Sequence, residues 1–154
     1  MAFVLRKAKM VDVRTIHRLL MECASKKLLL PRSYTEIYAH LRDFIVAEDD
    51  ATAAVVGCCA LSITWEGLAE VRSLVVAEAA QGRGIGRRLV EACVSDALTF
   101  GIYKVFTLTY QVDFFRKLGF QEVSKDVLPQ KVWADCIKCP QFPECDETAM
   151  MIEL

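Results

Sequence analysis

The chain has 154 residues, a formal net charge of -1 and a hydrophobic content of 54%. This length fits one domain with a sizeable core, and the near-neutral charge disfavours a general nucleic-acid binder, which is usually basic. The sequence holds no apolar run of 18 residues and no secretion signature at its start, so we predict no membrane span and a cytoplasmic location.

The first third of the chain predicts a strand, two helices and a hairpin. Residues 3–8 form the predicted first strand, and Asp12 is expected to cap a helix with one apolar face. Ser33 and Glu36 have the spacing of a capping box, which predicts the start of a second helix. A hairpin of two strands is expected between 44 and 65.

A strand, a glycine-rich turn and a helix form the central segment. Residues 70–76 predict a mostly buried strand, and alternation along it places Glu70, Arg72 and Leu74 on one face. A turn with three glycines in five residues follows, and an apolar helical pattern then continues to Gly101. Backbone N–H groups in such a turn and the dipole of the helix favour a phosphate ligand.

The remainder of the chain predicts three further strands and one short helix. The strands cover 103–109, 120–124 and 148–154, and the helix covers 111–118. The element order is therefore β-α-α-β-β-β-α-β-α-β-β, which indicates an α/β (α+β) class with a mixed sheet flanked by helices.

The segment 126–147 differs from the rest in its content of proline and cysteine. Cys136, Cys139 and Cys145 have partial metal-ligand spacing, but a fourth ligand is not evident. Two interpretations stay open, a zinc site and a proline-stiffened loop with free thiols. We favour the second, so no metal is expected.

The glycine turn resembles the acetyl-CoA pyrophosphate loop of the GNAT acetyltransferases, in the pattern Gln81-x-x-Gly84-x-Gly86. The element order is also that of the GNAT fold, so the resemblance implies one such domain over residues 1–154, with acetyl-CoA as cosubstrate. The cofactor-binding positions that it implies are Val75, Val76, Gln81, Gly82, Arg83, Gly84, Ile85, Gly86 and Arg87.

Several stretches also resemble the N-acetylglutamate synthases, in particular their short single-domain bacterial form. These stretches are 29–33, 69–76, 106–120 and 128–131. The resemblance implies transfer of an acetyl group to the α-amine of L-glutamate, the first step of arginine biosynthesis, by direct attack on the thioester. The implied partners are small molecules, without nucleic acid or membrane, and the sequence is compatible with a homodimer.

Candidate site residues follow from the needs of acetyl transfer. Glu70 is a candidate general base, or else a structural partner of an arginine. Tyr110 is a candidate acid, because Phe115 stands where many GNAT enzymes have a tyrosine. Arginine forks suit carboxylates, so Arg72 is a candidate glutamate ligand. The resemblance implies Arg32 as a second candidate, with Lys131 as a third. For Arg32, a solvated loop arginine is the alternative.

The sequence leaves two other functions open. One is a GNAT acetyltransferase for a different amine, such as a protein N-terminus, a lysine, a polyamine or another amino acid. The other is a non-catalytic module that binds acetyl-CoA.

Overall fold

The computed structural model describes residues 2–25, 32–129 and 147–154, which form one seven-stranded sheet with helices on both faces. The sheet order is β1-β2-β3-β4-β5-β7-β6, and neighbouring strands are antiparallel except for the parallel pair β4–β5. The predicted mixed sheet and element order are confirmed. The strands are β1 (Phe3–Lys7), β2 (Phe44–Asp49), β3 (Val55–Trp65), β4 (Leu68–Val76), β5 (Lys104–Thr109), β6 (Gln121–Glu122) and β7 (Thr148–Glu153). The helices are α1 (Val13–Ser25), α2 (Tyr34–Ala39), α3 (Ile85–Thr99) and α4 (Val112–Lys117).

Two sequence predictions fall outside the described residues. Lys131, the third candidate ligand of glutamate, lies there. The three cysteines of the segment 126–147 lie there as well.

The sheet separates two apolar layers. On one face α3 and α4 pack against β2, β3, β4 and β5, with Leu89, Cys93 and Phe115 among the buried residues. On the other face α1 and α2 pack against β2, β3 and β4, with Ile16 and Ile37 fully buried. The capping box of α2 forms as predicted, since the Ser33 hydroxyl accepts a hydrogen bond from the Glu36 N–H at 3.2 Å.

A bulge interrupts β4 at Ser73. The register against β3 shifts between the pairs Ala60–Arg72 and Cys58–Val75, and Ser73 has a φ of +56°. Because the extra residue reverses the alternation, Leu74 packs with the α3 layer, whereas Val75 packs with the α1 layer. The prediction that Leu74 shares a face with Glu70 and Arg72 is therefore wrong.

The parallel strands β4 and β5 pair over only three residues. Their ladder runs from Leu68–Lys104 to Glu70–Phe106, and one residue beyond it the Thr107 hydroxyl donates to the Val71 carbonyl at 2.9 Å. Beyond this contact, no further residues of β4 and β5 pair with each other. The carboxyl ends of β4 and β5 thus separate and leave an opening in the middle of the sheet.

Asp12 does not occupy the capping position that the sequence predicted. It ends a short 3-10 turn, Met10–Asp12, which continues directly into α1. Its carboxylate accepts from the Lys9 N–H at 2.7 Å and from both terminal nitrogens of Arg6, at 2.7 and 3.0 Å. Asp12 therefore joins β1 to the start of α1 rather than capping α1 as its N-cap residue.

We expect Asp12→Ala to lower the free energy of unfolding by about 1.5–3 kcal/mol, because the carboxylate is buried and its main bonds are charge-assisted. The bond from Arg6 lowers the pKa of Asp12, so this stabilisation is complete above the ordinary carboxyl pKa of about 4 and is lost as the pH falls below it. Urea denaturation at neutral pH and at low pH measures both effects.

Asp113→Ala is the matched control, because Asp113 pairs with Arg116 at 3.2 Å but is 91% exposed. Its cost should stay below about 0.5 kcal/mol. Equal losses in the two variants would contradict the account of Asp12.

Candidate active site

The opening between β4 and β5 is a cleft of about 490 Å³. Its walls come from the second half of β4, the glycine turn and the start of α3, the end of β5, and α4. Since β4 and β5 are parallel, both strands present their carboxyl ends to this cleft, which is where open α/β sheets bind ligands.

The glycine turn forms the positive end of the cleft. Gly82 and Gly84 both have a φ of +80°, a backbone conformation that side-chain-bearing residues rarely adopt. Gly84 is the N-cap of α3, and its carbonyl accepts the Arg88 N–H at 3.1 Å. The N–H groups in the first turn of α3 have no partner within the helix, so they and the helix dipole can hold an anion.

The polar side chains of the turn have different surroundings. Gln81 donates from Nε2 to the Val76 carbonyl at 3.1 Å, which ties the turn to the end of β4. Arg83 is exposed, and Arg87 is exposed beside Glu91 at 3.4 Å. Both arginines are therefore available to add positive charge at the surface next to the turn.

Arg32 is deeply buried, with a relative exposure of 4%. Its guanidinium lies 5.1 Å from the centre of the Phe44 ring and donates from Nη1 to the Ser73 hydroxyl at 3.1 Å. Its Nε has no hydrogen-bond partner among the described residues. Burial lowers the pKa of Arg32, and the nearby charge of Arg72 lowers it further, although arginine keeps its proton in proteins. The alternative of a solvated loop arginine is wrong.

Arg72 and Glu70 lie on the same face of β4, as predicted. Arg72 borders the cleft, and its Nη1 is 3.9 Å from the Glu70 carboxylate. Glu70 lies two residues earlier, where β4 still pairs with β5. The structure thus brings Arg32, Arg72 and Glu70 to the same part of the sheet, beside the bulge.

Two consecutive cysteines of β3 hold the bulge, and the sequence did not single them out. The Cys58 thiol lies 3.6 Å from the Ser73 carbonyl, and the Cys59 thiol lies 3.8 Å from the Arg72 carbonyl. Burial raises the pKa of Cys58, and a hydrogen bond with Cys93 together with burial raises that of Cys59. Both groups therefore stay protonated and can donate to these carbonyls.

The β5 side of the cleft carries hydroxyl and aromatic groups. Thr109 borders the cleft and accepts the Gln111 N–H at 2.8 Å, while Tyr110 is half-buried between these two residues. Phe115 is buried and borders the cleft, so an aromatic ring without a hydroxyl occupies that part of the wall. Glu147 also borders the cleft, but it precedes the last strand without a motif, so it was not among the predicted site residues.

Among residues 2–25, 32–129 and 147–154, no group of three or more histidine, cysteine or acidic residues could hold a metal ion. No helix in that part of the chain has both the length and the apolar character of a membrane span.

Taken together, the separated parallel strands and the glycine turn form a cleft that can bind a phosphate-bearing ligand next to a buried cationic site. A family model described as acetyltransferase (GNAT) domain matches residues 40–122, more than half of the chain. The chain belongs to the GNAT acetyltransferase family, and the predicted family and enzyme class are confirmed.

Three similar proteins show which members of the family this chain resembles. An uncharacterised N-acetyltransferase of Chlorobaculum tepidum is 41% identical, over 95% of this chain and 93% of its own length. An amino-acid acetyltransferase of Mycobacterium tuberculosis is 36% identical, over 78% of this chain and 69% of its own length. The N-acetylglutamate synthase of Neisseria gonorrhoeae, solved with coenzyme A and N-acetyl-glutamate, superposes with a TM-score of 0.88 at 26% identity, over all of this chain and 35% of that one. The coenzyme A in that structure supports the predicted cosubstrate.

Proposed function

We propose that this acetyltransferase transfers the acetyl group of acetyl-CoA to the α-amine of L-glutamate. The observation that carries the proposal is the buried guanidinium of Arg32, which has an unpartnered Nε among the described residues and lies near a second arginine beside the cleft. A buried charge needs compensation, and a carboxylate supplies it. The name of the amino-acid acetyltransferase among its relatives supports an amino-acid acceptor, and the similar structure of an N-acetylglutamate synthase supports glutamate in particular.

We assign the binding of the cosubstrate to the glycine turn and the end of β4. The pyrophosphate of acetyl-CoA lies on the backbone of residues 82–87, with Arg83 and Arg87 nearby and Gln81 fixing the turn. The thioester then lies along the second half of β4, at Val75 and Val76. The Ala77 N–H bonds to the Val56 carbonyl of β3, so alternation turns the Val76 N–H away from β3 toward the cleft. We assign the binding of the thioester oxygen to backbone N–H groups of this stretch.

The acceptor lies on the α1 side of the sheet. Arg32 and Arg72 bind the two carboxylates of glutamate, because both guanidinium groups lie beside the bulge and the charge of Arg72 lowers the pKa of Arg32. Lys131 is the third candidate ligand. This arrangement presents the α-amine to the thioester next to Val75.

The chemical step is a direct transfer. The α-ammonium loses a proton, and the amine attacks the thioester carbonyl to form a C–N bond. The nitrogen of the tetrahedral intermediate then gives up a second proton, and the C–S bond breaks as the intermediate collapses to the amide. The thiolate of CoA leaves and takes up a proton. A thiol has a pKa of about 8.5, so the thiolate is a fair leaving group and an acid helps without being obligatory.

Two side chains are assigned to the proton transfers. Glu70 is the general base, acting through water, since Arg72 rather than Glu70 borders the cleft. Tyr110 follows Thr109 and precedes Gln111, which both border the cleft, and we assign it as the acid for the thiolate, since Phe115 has no proton to give. The ion pair with Arg72 equally supports a structural role for Glu70, and the pH dependence of a Glu70→Gln variant separates the two roles.

A panel of free amines with acetyl-CoA tests the proposal. It includes glutamate, glutamine, other amino acids, lysine peptides and a polyamine, and the readout is release of CoA. We expect L-glutamate to give the highest kcat/KM. A better polyamine or peptide substrate would replace the acceptor in the proposal, and no turnover with any amine would favour the non-catalytic acetyl-CoA-binding module.

A further inference from the structure

We infer that Ser73 is a positioning residue that fixes Arg32 for the carboxylate of the acceptor. The inference rests on the proposed function, since it assigns Arg32 to an acceptor carboxylate. Ser73 borders the cleft, and its hydroxyl accepts the hydrogen bond from Arg32 Nη1 at 3.1 Å. Ser73 therefore belongs to the cleft wall and at the same time holds Arg32 through its side chain.

The backbone of Ser73 is unusual for a serine. Its φ of +56° is a conformation that glycine adopts without cost and other residues adopt with strain. Strained residues persist where the surroundings hold them, and they are concentrated at functional sites. A glycine would adopt this φ without strain but would lack the hydroxyl. The presence of a serine at this strained position therefore supports a functional role for its hydroxyl.

The surroundings of Ser73 hold it from two sides. The Cys58 thiol lies against the Ser73 carbonyl at 3.6 Å, and Arg32 lies against its hydroxyl. Arg32 is 4% exposed and donates to this hydroxyl, while its buried Nε has no hydrogen-bond partner among the described residues. Removal of the hydroxyl should let the guanidinium move over the Phe44 ring and lose its alignment with the acceptor.

Ser73→Ala and Ser73→Gly together test the inference. Both remove the hydroxyl, but only glycine relieves the backbone strain, so thermal stability should be equal or higher for Ser73→Gly than for Ser73→Ala. Both should nevertheless lower kcat/KM for L-glutamate roughly five- to thirtyfold, with the KM for acetyl-CoA nearly unchanged. Ser95→Ala, an exposed serine of α3, is the control and should behave as wild type.

A double-mutant cycle with Arg32→Ala gives the deciding result. If Ser73 acts through Arg32, then Ser73→Ala should cost little once Arg32 is already alanine. Additive losses, or a Ser73→Gly variant that keeps wild-type glutamate kinetics, would overturn the inference. A wild-type protein that ignores glutamate would instead overturn the proposed function. The double-mutant cycle would then be measured with the best amine of the panel. An absence of coupling between Ser73 and Arg32 with that amine would also overturn the role of Ser73.

Discussion

Replacement of Arg32 by alanine is expected to lower kcat/KM for L-glutamate roughly ten- to a hundredfold, while the KM for acetyl-CoA stays nearly unchanged. A charge-assisted bidentate contact contributes about 1.5–3 kcal/mol, and Arg32 is buried. Arg72→Ala should act in the same direction. At least one of the two variants should also reduce the preference for glutamate over glutamine, since glutamine lacks the second carboxylate.

Further variants distinguish a loss of carboxylate binding from a general loss of folded structure. Arg32→Lys should recover only part of the activity, because an ammonium lacks the planar fork of the guanidinium. Arg116→Ala is the matched control, because Arg116 is 56% exposed and pairs with Asp113 on α4. Thermal melts of each variant exclude unfolding as the cause. Wild-type glutamate kinetics in both Arg32→Ala and Arg72→Ala would refute the carboxylate assignment.

Gly84→Asp is expected to raise the KM for acetyl-CoA roughly ten- to a hundredfold. It places a carboxylate at the N-terminus of α3, where the pyrophosphate is proposed to bind, and two like charges about 4 Å apart repel by about 1–4 kcal/mol near a protein surface. An added Cβ at Gly84 meets no atom within 4 Å, so the main structural cost is the φ of +80°. Steady-state kinetics with varied acetyl-CoA gives the result.

Two controls isolate the charge. Gly84→Asn carries the same backbone strain without the negative charge and should show a much smaller effect. Gly67→Asp introduces the same residue at a comparable φ of +69°, in the turn between β3 and β4, and should leave the KM for acetyl-CoA unchanged. Normal acetyl-CoA affinity in a folded Gly84→Asp protein would show that the phosphates bind elsewhere.

The sequence predicted the order of the elements because each one carries a local signal. The capping box at Ser33 and the glycine after α3 mark helix ends, and apolar periodicity distinguishes helices from strands. The bulge at Ser73 has no such signal, since a serine with a positive φ is stabilised by contacts from β3 that are distant in sequence. A strict alternation therefore placed Leu74 on the wrong face.

The glycine-turn side of the candidate site was easier to predict from the sequence than the side that holds Arg32. The glycine turn is a local pattern, so its place at the start of α3 was found from sequence. The burial of Arg32 depends on Phe44 and Ser73, which lie 12 and 41 positions further along the chain, and only the family resemblance singled it out. Cys58, Cys59 and Glu147 reach the site through strand pairing and lay outside the predicted set.

The most direct test of the account is the ratio of kcat/KM for L-glutamate to that for L-glutamine in the wild-type protein with saturating acetyl-CoA. The product should be identified by mass spectrometry as N-acetylglutamate carrying the acetyl group on its α-amine. The second carboxylate contact predicts a preference for glutamate of roughly tenfold or more. Equal use of the two amino acids, or a preference for glutamine, would contradict the assignment of two arginines to two carboxylates.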